Sequence, residues 1–346
     1  MIVGVSGYGY TGSGAVTDYL KERSECDHID VEFNLAYTPH GLQDLEYHLT
    51  QGISRYFSGD AAIKDFLHII QKLNSPKSAY RRYMGDDFAR ASVDFAESLA
   101  QVKWSGWWSY DGMRMGFLQE TWRFRILRRY MLAWERHHTQ KHPLPKGDVM
   151  YLSVMPTDFQ EKARAYINRL IDGFGCDRSR VVVVNQPFEP NAPQQSMKYF
   201  DDAKAIIVDR DPRDVYLFAK KVARHAASFI PTDRVEDFVA YHKLCRIHSG
   251  TEDPDRVLRI SFEDMVFAYE DTVKRITDFL GIPYTQPQKQ YFNPDASINN
   301  TRLYLKYPEC QDDIRFIEQE LQDYLYPFHQ YEGLQGSGDP FVCDSD

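Results

Sequence analysis

The sequence predicts an α/β fold in which a central, largely parallel sheet is flanked by helices and interrupted by a helical insertion. Short apolar runs suited to buried strands occur at residues 1–6, 28–35, 149–155, 181–184, 205–208 and 257–260. Helix-like segments separate most of these runs. The run of four valines at 181–184 is apolar on both faces. Such a run predicts a central strand that helices cover on both sides of the sheet.

The first strand leads into a glycine-rich segment, residues 7–14 (GYGYTGSG), and then into a helical pattern at 15–23. In such a loop, the backbone N–H groups and the positive end of the helix can hold a phosphate. The spacing from Gly7 to Gly12 matches the two glycines of a P-loop, which predicts a P-loop NTPase-like sheet. Ser13 and Gly14 stand where an ATPase or GTPase needs Lys and Ser or Thr, so those activities are disfavoured.

The same glycine-rich segment has two other interpretations. Gly7, Gly9 and Gly12 satisfy G-x-G-x-x-G, a weak match to a dinucleotide fingerprint, and Asp30 or Glu32 would then be the ribose-binding acid. The other alternative is a strand-to-helix turn that needs its glycines for backbone geometry alone.

Residues 52–145 break the strand-helix rhythm and predict a helical insertion within a single domain spanning 1–346. All five tryptophans lie in this insertion, namely Trp104, Trp107, Trp108, Trp122 and Trp134. Arginines at 123, 125, 128 and 129 interleave with aromatic residues there. A solvated basic helix face explains that pattern most simply, and stacking on a sugar ring is the alternative. Residues 336–346 are predicted to form a flexible tail.

Composition excludes several classes of protein. A formal net charge of −9 at pH 7 argues against general affinity for nucleic acid or anionic membranes. The five scattered cysteines show no CxxC spacing, and no apolar stretch is long enough to cross a bilayer. We therefore expect a cytoplasmic protein without a transmembrane segment, and we expect no metal.

A second motif lies at residues 205–216 (AIIVDRDPRDVY), where an apolar run breaks into a turn rich in Arg and Asp. This turn should lie at the carboxyl edge of the sheet, where ligands bind in α/β proteins. Asp211 can cap the helix that Pro212 begins, which leaves Arg210 as a fixed cation for a phosphate. The alternative is an ion pair between Arg210 and Asp209 or Asp214.

Residues 210–215 resemble the sulfotransferase motif R-[ND]-P-[KR]-D-V, which binds the 3′-phosphate of 3′-phosphoadenosine 5′-phosphosulfate (PAPS). Residues 257–265 (VLRISFEDM) and 272–282 (TVKRITDFLGI) resemble the family's strand bearing Y/F-E-D-L and its helix ending in F-L-G-I. The chain is thus similar to PAPS-dependent sulfotransferases of the carbohydrate and bacterial type. The resemblance implies transfer of a sulfuryl group from PAPS to a hydroxyl of a carbohydrate or another large acceptor, at a site that the insertion shapes.

The resemblance also implies site residues. The 5′-phosphosulfate loop comprises Gly9, Tyr10, Thr11, Gly12, Ser13, Gly14 and Ala15. Arg210 and the late Arg302 are expected at the 3′-phosphate, although a surface arginine is an equal alternative for Arg302. Glu32, which ends the second strand, is the preferred base for the acceptor proton, and His40 is the next candidate because the usual pKa of His is near neutrality. Purely structural roles stay open for both.

The chain departs from the family pattern at two positions. Gly12 stands where the family has Lys or Arg, and Phe218 stands where it commonly has a Ser that also binds the 3′-phosphate. Lys220, Lys221 or Ser228 is a possible replacement for that Ser. The departures leave two alternatives open, a non-catalytic nucleotide-binding or scaffold relative and a P-loop kinase-like phosphotransferase.

Overall fold

The computed structural model describes residues 1–51, 56–106, 111, 116–139 and 148–341. The chain divides into two compact units, one formed by Met1–Ala36 with Phe174–Asp346 and the other by Tyr37–Gly173. The predicted insertion falls inside the second unit, which extends beyond it at both ends. The predicted end points, residues 52 and 145, and the tryptophans at 107 and 108 lie outside the described ranges.

The first unit begins with a strand, a loop, a helix and a second strand. These are β1 (Ile2–Gly7), α1 (Gly14–Lys21) and β2 (Cys26–Glu32), followed by a short 3-10 helix at Asn34–Ala36.

The second unit is mainly helical and contains one pair of strands among its described residues. In chain order its elements are α2 (Leu42–Thr50), α3 (Tyr56–Leu73), α4 (Ala79–Met84), α5 (Asp87–Leu99), β3 (Val102–Gly106), α6 (Phe117–Glu120), a π-helical stretch (Thr121–Leu127), α7 (Arg128–Glu135), β4 (Asp148–Leu152) and α8 (Phe159–Gly173). Among the described helices, none is both long enough and apolar enough to cross a bilayer.

The chain then completes the first unit. Its remaining strands and α-helices are β5 (Val181–Asn185), α9 (Pro193–Met197), β6 (Ala203–Asp209), α10 (Pro212–Leu217), α11 (Val235–Leu244), β7 (Val257–Ser261), α12 (Phe262–Phe267), α13 (Tyr269–Leu280), α14 (Pro294–Ser297) and α15 (Gln311–Glu320). A π-helical stretch, Phe218–Ala223, continues α10.

The five strands of the first unit form one parallel sheet in the order β2-β5-β1-β6-β7. This arrangement confirms the predicted α/β class. Because all five strands are parallel, their carboxyl ends lie at one edge, where Val5 is in register with Asn185 and Gly7 with Val208. The valine strand β5 is interior, between β2 and β1, and all four of its valines are buried, as the run of four valines predicted.

One predicted strand of the parallel sheet is wrong. The apolar run at 149–155 forms β4, which pairs antiparallel with β3 in a separate two-stranded sheet of the second unit. Met150 is fully buried, whereas Val149 is about half exposed, so this run lacks the two-sided burial of an interior parallel strand. A short apolar run predicts a strand but does not identify the strand with which it pairs.

One face of the parallel sheet is packed by α1, α12 and α13. Alternate residues of the strands point to this face, as the two-residue period of a β-strand requires. The buried cluster includes Val3, Val5, Val16, Tyr19, Ile206, Val208, Met265 and Val273. Each such aliphatic side chain contributes roughly 1.5–3 kcal/mol by leaving water, so the strands and their carboxyl ends are firmly placed.

The C-terminal segment is anchored as far as Phe341, where the sequence predicted a flexible tail. The N–H of Gly338 donates to Asn299 Oδ1 at 2.7 Å, and the N–H of Phe341 donates to Asn300 Oδ1 at 2.9 Å. Lys306 Nζ also donates to the carbonyl of Gly338 at 2.6 Å. Residues 342–346 of the predicted tail lie outside the described ranges.

Candidate functional site

The glycine loop, residues 7–14, requires glycine at two of its turns. Gly9 and Gly12 both have φ of +84°, a backbone conformation that side chains strongly disfavour. A Cβ at Gly12 would also lie 2.4 Å from the ring of Phe262. Backbone geometry and packing together therefore exclude from position 12 the Lys or Arg that sulfotransferases usually have there.

The glycine loop is fastened to the sheet and leaves its backbone donors available. Thr11 Oγ1 donates to the carbonyl of Val208 at 2.7 Å and accepts from the N–H of Tyr8 at 3.1 Å. Within the described ranges, the backbone N–H groups from Gly9 to Gly14 donate no hydrogen bond. These donors directly precede the positive end of α1, which begins at Gly14, so the loop is suited to an anion.

The turn after β6 forms as the motif predicted. Asp211 Oδ1 accepts from the N–H of Arg213 at 2.9 Å and caps α10. The two carboxylates considered as partners of Arg210 are engaged elsewhere. Asp209 pairs with Arg246 through bonds of 2.7 and 2.9 Å. Asp214 accepts from two backbone N–H groups, those of Arg302 and Leu303, at 2.7 Å each.

Arg210 is a buried cation held by backbone carbonyls instead. Its guanidinium donates to the carbonyl of Tyr10 at 2.9 Å and to that of Asn300. It lies between two rings, 4.9 Å from the centre of Phe218 and 5.1 Å from that of Phe262. Its Nε has no partner among the described residues, and the side chain is buried. Arg210 therefore contacts the glycine loop directly while keeping donor capacity.

Two buried acids beside Arg210 have raised pKa values. Burial, and then the nearby Asp211 carboxylate, raises the pKa of Asp214 to about 7. Burial likewise raises the pKa of Glu263 well above its usual range, with Asp211 and Asp214 adding to the effect. Glu263 is completely buried and accepts from the N–H of Asp211 at 3.0 Å. Protonation of these acids reduces the negative charge around Arg210, so the guanidinium can attract an anion.

Arg302 lies in the same unit, but its side chain makes different contacts. The guanidinium donates to the carbonyls of Phe328, Tyr331 and Leu334 at 2.8–2.9 Å, and it is buried. These bonds join it to the C-terminal segment. The described contacts of Arg302 therefore anchor the C-terminal segment and do not bring the Arg302 side chain to the glycine loop.

Phe218, the second departure from the family pattern, packs against the candidate site. Its ring contacts Arg210 as described and lies 5.4 Å from the ring of Tyr10. The proposed replacements for the missing serine are occupied or exposed. Lys220 pairs with Asp313 and Lys221 with Glu309, each at 2.8 Å. Ser228 is exposed.

The two candidate bases lie in different units. Glu32 is the exposed last residue of β2, in register with Asn185, which is in turn in register with Val5 of β1. His40 belongs to the second unit, where its Nδ1 lies 3.8 Å from Asp65 Oδ2. There it lines a cavity of about 190 Å³ with His48, Asp44, Leu45, Ser58, Ala61, Ala62 and Asp65. Glu32 thus shares the sheet edge with the glycine loop.

Sequence reasoning missed two residues around the loop, Arg246 and Phe229. The guanidinium of Arg246 lies 3.9 Å from the centre of the Tyr8 ring while it pairs with Asp209. The ring of Phe229 stacks on that of Tyr10, with centres 5.8 Å apart. The tyrosines inside the glycine loop were a signal for aromatic partners, but no motif marked Arg246 or Phe229.

The comparisons with known proteins agree with the motifs. Residues 120–286 match the model of the sulfotransferase family. The matched range contains β5, the turn with Arg210, and Phe262, whereas the glycine loop and Arg302 lie outside it. Among curated proteins, none is significantly similar to the chain in sequence.

Several solved structures are similar to the chain at low identity. Sulfotransferase STF9 from Mycobacterium avium is 13% identical, with 97% of this chain and 78% of that one covered and a TM-score of 0.39. The sulfotransferase domain of the Synechococcus PCC 7002 olefin synthase is 14% identical, with 85% and 75% covered and a TM-score of 0.35. Because both scores are low, the fold assignment rests on the strand order of the chain itself.

The family match and the geometry support each other at Phe262. Its ring contacts both Gly12 and Arg210, so the glycine loop, the turn after β6 and the segment 257–265 meet in the folded chain. The match of residues 120–286 thus shows that this part of the chain is similar to sulfotransferases.

Proposed function

We propose that the chain is a sulfotransferase, that its sulfuryl donor is PAPS and that the acceptor is a hydroxyl of a carbohydrate or another large molecule. The observation that carries the donor assignment is Arg210. It is a buried arginine with no carboxylate bonded to its guanidinium among the described residues, and it directly contacts a loop of available N–H groups. Such a pair of anion-binding elements suits a nucleotide with phosphates at two separate positions.

The two elements divide the binding of the donor. The glycine loop and the start of α1 hold the 5′-phosphosulfate, and Arg210 holds the 3′-phosphate. PAPS supplies the sulfuryl group and a phosphate leaving group. In this chain, neutral N–H and O–H donors of the loop stabilise the negative charge that grows on the leaving side, because no cation stands at Gly12. We propose no metal in this step.

Glu32 is the proposed base. Its position at the carboxyl end of β2 places it at the sheet edge that carries the glycine loop, two strands from β1. Adjacent strands are about 4.8 Å apart, so roughly 10 Å separates the backbones of Glu32 and Val5. Glu32 would take the proton of the acceptor hydroxyl as the hydroxyl oxygen bonds to sulfur.

The second unit supports a carbohydrate as acceptor. Trp122 and Tyr130 are 60% and 57% exposed, and Arg125 and Arg129 beside them are also exposed. Exposed aromatic faces stack on sugar rings, and guanidinium groups bond to sugar hydroxyls or acidic substituents. We also propose a cytoplasmic location, which the free thiols of Cys26, Cys245 and Cys310 support.

Glu32→Gln tests the proposed reaction. We expect turnover of PAPS with a panel of oligosaccharide acceptors to fall at least about 100-fold, because a general base typically contributes that much or more. Affinity for 3′-phosphoadenosine 5′-phosphate (PAP), the nucleotide product, should not change. Asp30→Asn is the matched control, since Asp30 is an exposed acid on the same strand that pairs with Lys21 at 3.2 Å.

The kinetics of Glu32→Gln also decide between the candidate bases. Normal turnover in this variant would remove Glu32 from the reaction and make His40→Asn the next variant. Tight PAP binding by the wild type without transfer to any acceptor of the panel would instead favour a nucleotide-binding relative that has lost turnover.

A further inference from the structure

Gln186 follows β5 directly and adopts an unusual backbone conformation. Its φ is +52°, in the left-handed region that residues other than glycine seldom occupy, while its N–H donates to the carbonyl of Val5 at 2.9 Å. Such a conformation in a residue other than glycine costs on the order of 1 kcal/mol or more. Backbone strain of this kind at a sheet edge is often associated with function.

The side chain of Gln186 reaches the glycine loop and bonds to it at two points. Oε1 accepts from the N–H of Gly7 at 3.1 Å, and Nε2 donates to Ser13 Oγ, also at 3.1 Å. Because a backbone N–H can only donate, the carboxamide oxygen must face Gly7. The NH₂ group must therefore face Ser13, and the orientation of the amide is fixed by chemistry.

This orientation determines what Ser13 can do. Its oxygen is used as an acceptor from Gln186, so its own hydrogen is left to donate to another group. A Cβ added at the neighbouring Gly14 would meet no atom within 4 Å, so there is open space next to Ser13. The Ser13 hydroxyl is thus a donor beside the available N–H groups of the loop.

From these contacts we propose that Gln186 is a positioning residue that makes Ser13 an obligate hydrogen-bond donor to the anion held by the glycine loop. The role partly replaces the cation that Gly12 excludes. This inference rests on the proposed function only in taking that anion to be the 5′-phosphosulfate of PAPS.

Gln186→Glu reverses the geometry with almost no change in shape. One carboxylate oxygen still accepts from Gly7, but the other can only accept from the Ser13 hydroxyl, which then no longer donates to the anion. We expect Ser13→Ala to weaken PAP binding about tenfold in the wild type, as expected for loss of a hydrogen bond to a charged group. In the Gln186→Glu background the same substitution should have almost no effect.

This double-mutant cycle separates positioning from simple repulsion. A Glu that only repelled the phosphate would weaken binding in both backgrounds and leave the effect of Ser13→Ala at about tenfold, which would overturn the inference. If Gln186→Glu does not fold, Gln186→Met serves in its place. Met cannot donate to Ser13, so the hydroxyl is free to rotate and the effect of Ser13→Ala should lie between one and tenfold. A full tenfold effect would contradict positioning by Gln186.

Two probes distinguish this inference from the proposed function. Calorimetry is run with PAP and with inorganic pyrophosphate. Binding of PAP without coupling between Gln186 and Ser13 overturns the inference alone. Binding of pyrophosphate but not PAP, with the coupling present, overturns the donor assignment and supports the inference. Failure of the wild type to bind either anion overturns both.

Discussion

The two loops that meet at the carboxyl edge of the parallel sheet differ in how they bind negative charge. The glycine loop after β1 contains no cation and offers backbone N–H groups and the Ser13 hydroxyl. The turn after β6 centres on Arg210, a buried guanidinium with acids of raised pKa nearby. The glycine loop is therefore neutral and binds an anion through the arrangement of its donors, whereas the turn binds an anion through positive charge.

The difference indicates where binding energy and selectivity arise. A neutral loop recognises an anion through the directions of its donors, so its effect depends on backbone geometry. A buried guanidinium attracts through charge, so its effect depends on the protonation of its neighbours. Substitutions in the turn should therefore change affinity most, whereas substitutions in the loop should change backbone conformation and affinity together.

Arg210→Ala should have the largest effect on binding. We expect PAP affinity to fall at least about 30-fold, because removing one partner of a buried charged contact typically costs 2–5 kcal/mol. Arg302→Ala is the matched control, since Arg302 is also buried and bonded to backbone carbonyls. It should lower the free energy of unfolding by about 3 kcal/mol and leave the affinity of the folded protein unchanged.

These two variants also decide whether Arg302 binds the nucleotide. Calorimetry with PAP, together with chemical denaturation, measures both quantities. An affinity loss for Arg302→Ala as large as that for Arg210→Ala would indicate that Arg302 binds the 3′-phosphate, as the family resemblance predicted. An unchanged affinity for Arg210→Ala would remove Arg210 from the site.

Gly12→Lys should have the next largest effect, and it should be unfavourable. Although it restores the cation usual in the family, φ of +84° costs roughly 1–2 kcal/mol for a residue with a side chain, and the Cβ would clash with Phe262. We expect a lower melting temperature and at least a tenfold loss of PAP affinity. The control, Gly14→Ala, has room for its Cβ and should keep the melting temperature. Tighter PAP binding by Gly12→Lys would contradict this account of the loop.

The pH dependence of binding should be the smallest effect. The pKa of Asp214 is about 7, so this acid gains a negative charge near Arg210 as the pH rises through 7. PAP affinity should therefore fall by roughly threefold to tenfold between pH 6.5 and 8.5. Ionisation of the phosphates near pH 6 acts in the opposite direction, so the decrease should be clearest above pH 7. Calorimetry at several pH values, with Asp214→Asn as a variant that should flatten the profile, checks this.

The raised pKa of Asp214 also makes the folded protein less stable as the pH rises. Because the pKa of Asp214 is raised in the folded protein, this acid's contribution to the free energy of unfolding is fully present below its ordinary pKa of 3.8. That contribution is lost as the pH rises towards 7. Thermal unfolding measured alongside the titrations separates this loss of stability from the loss of affinity.

The parts of the site that depend on local sequence could be predicted. Asp211 and Pro212 define a helix start within a few residues, and the spacing of Gly7 and Gly12 after an apolar run defines the loop. The parallel class of the main sheet followed from the same local patterns. The pairing of β4 with β3 could not be predicted, because a five-residue strand carries no information about its partner.

The remaining contacts depend on residues far apart in the sequence. Gln186 bonds to Gly7 and Ser13, and Arg246 pairs with Asp209, across distances that only the folded sheet closes. Gly12 departs from the family pattern because Phe262 occupies the space beside it, a contact that spans most of the chain. No local pattern specifies such contacts, so the departure was visible in the sequence but its cause was not.

Calorimetric titration of the wild-type protein with PAP, beside ADP with Mg²⁺ and NAD at equal concentrations, tests the central claim most directly. Arg210 and the glycine loop together predict tight binding of the 3′-phosphorylated nucleotide and weak or no binding of the other two. Preference for ADP with Mg²⁺ or for NAD would contradict the assignment of PAPS as the sulfuryl donor.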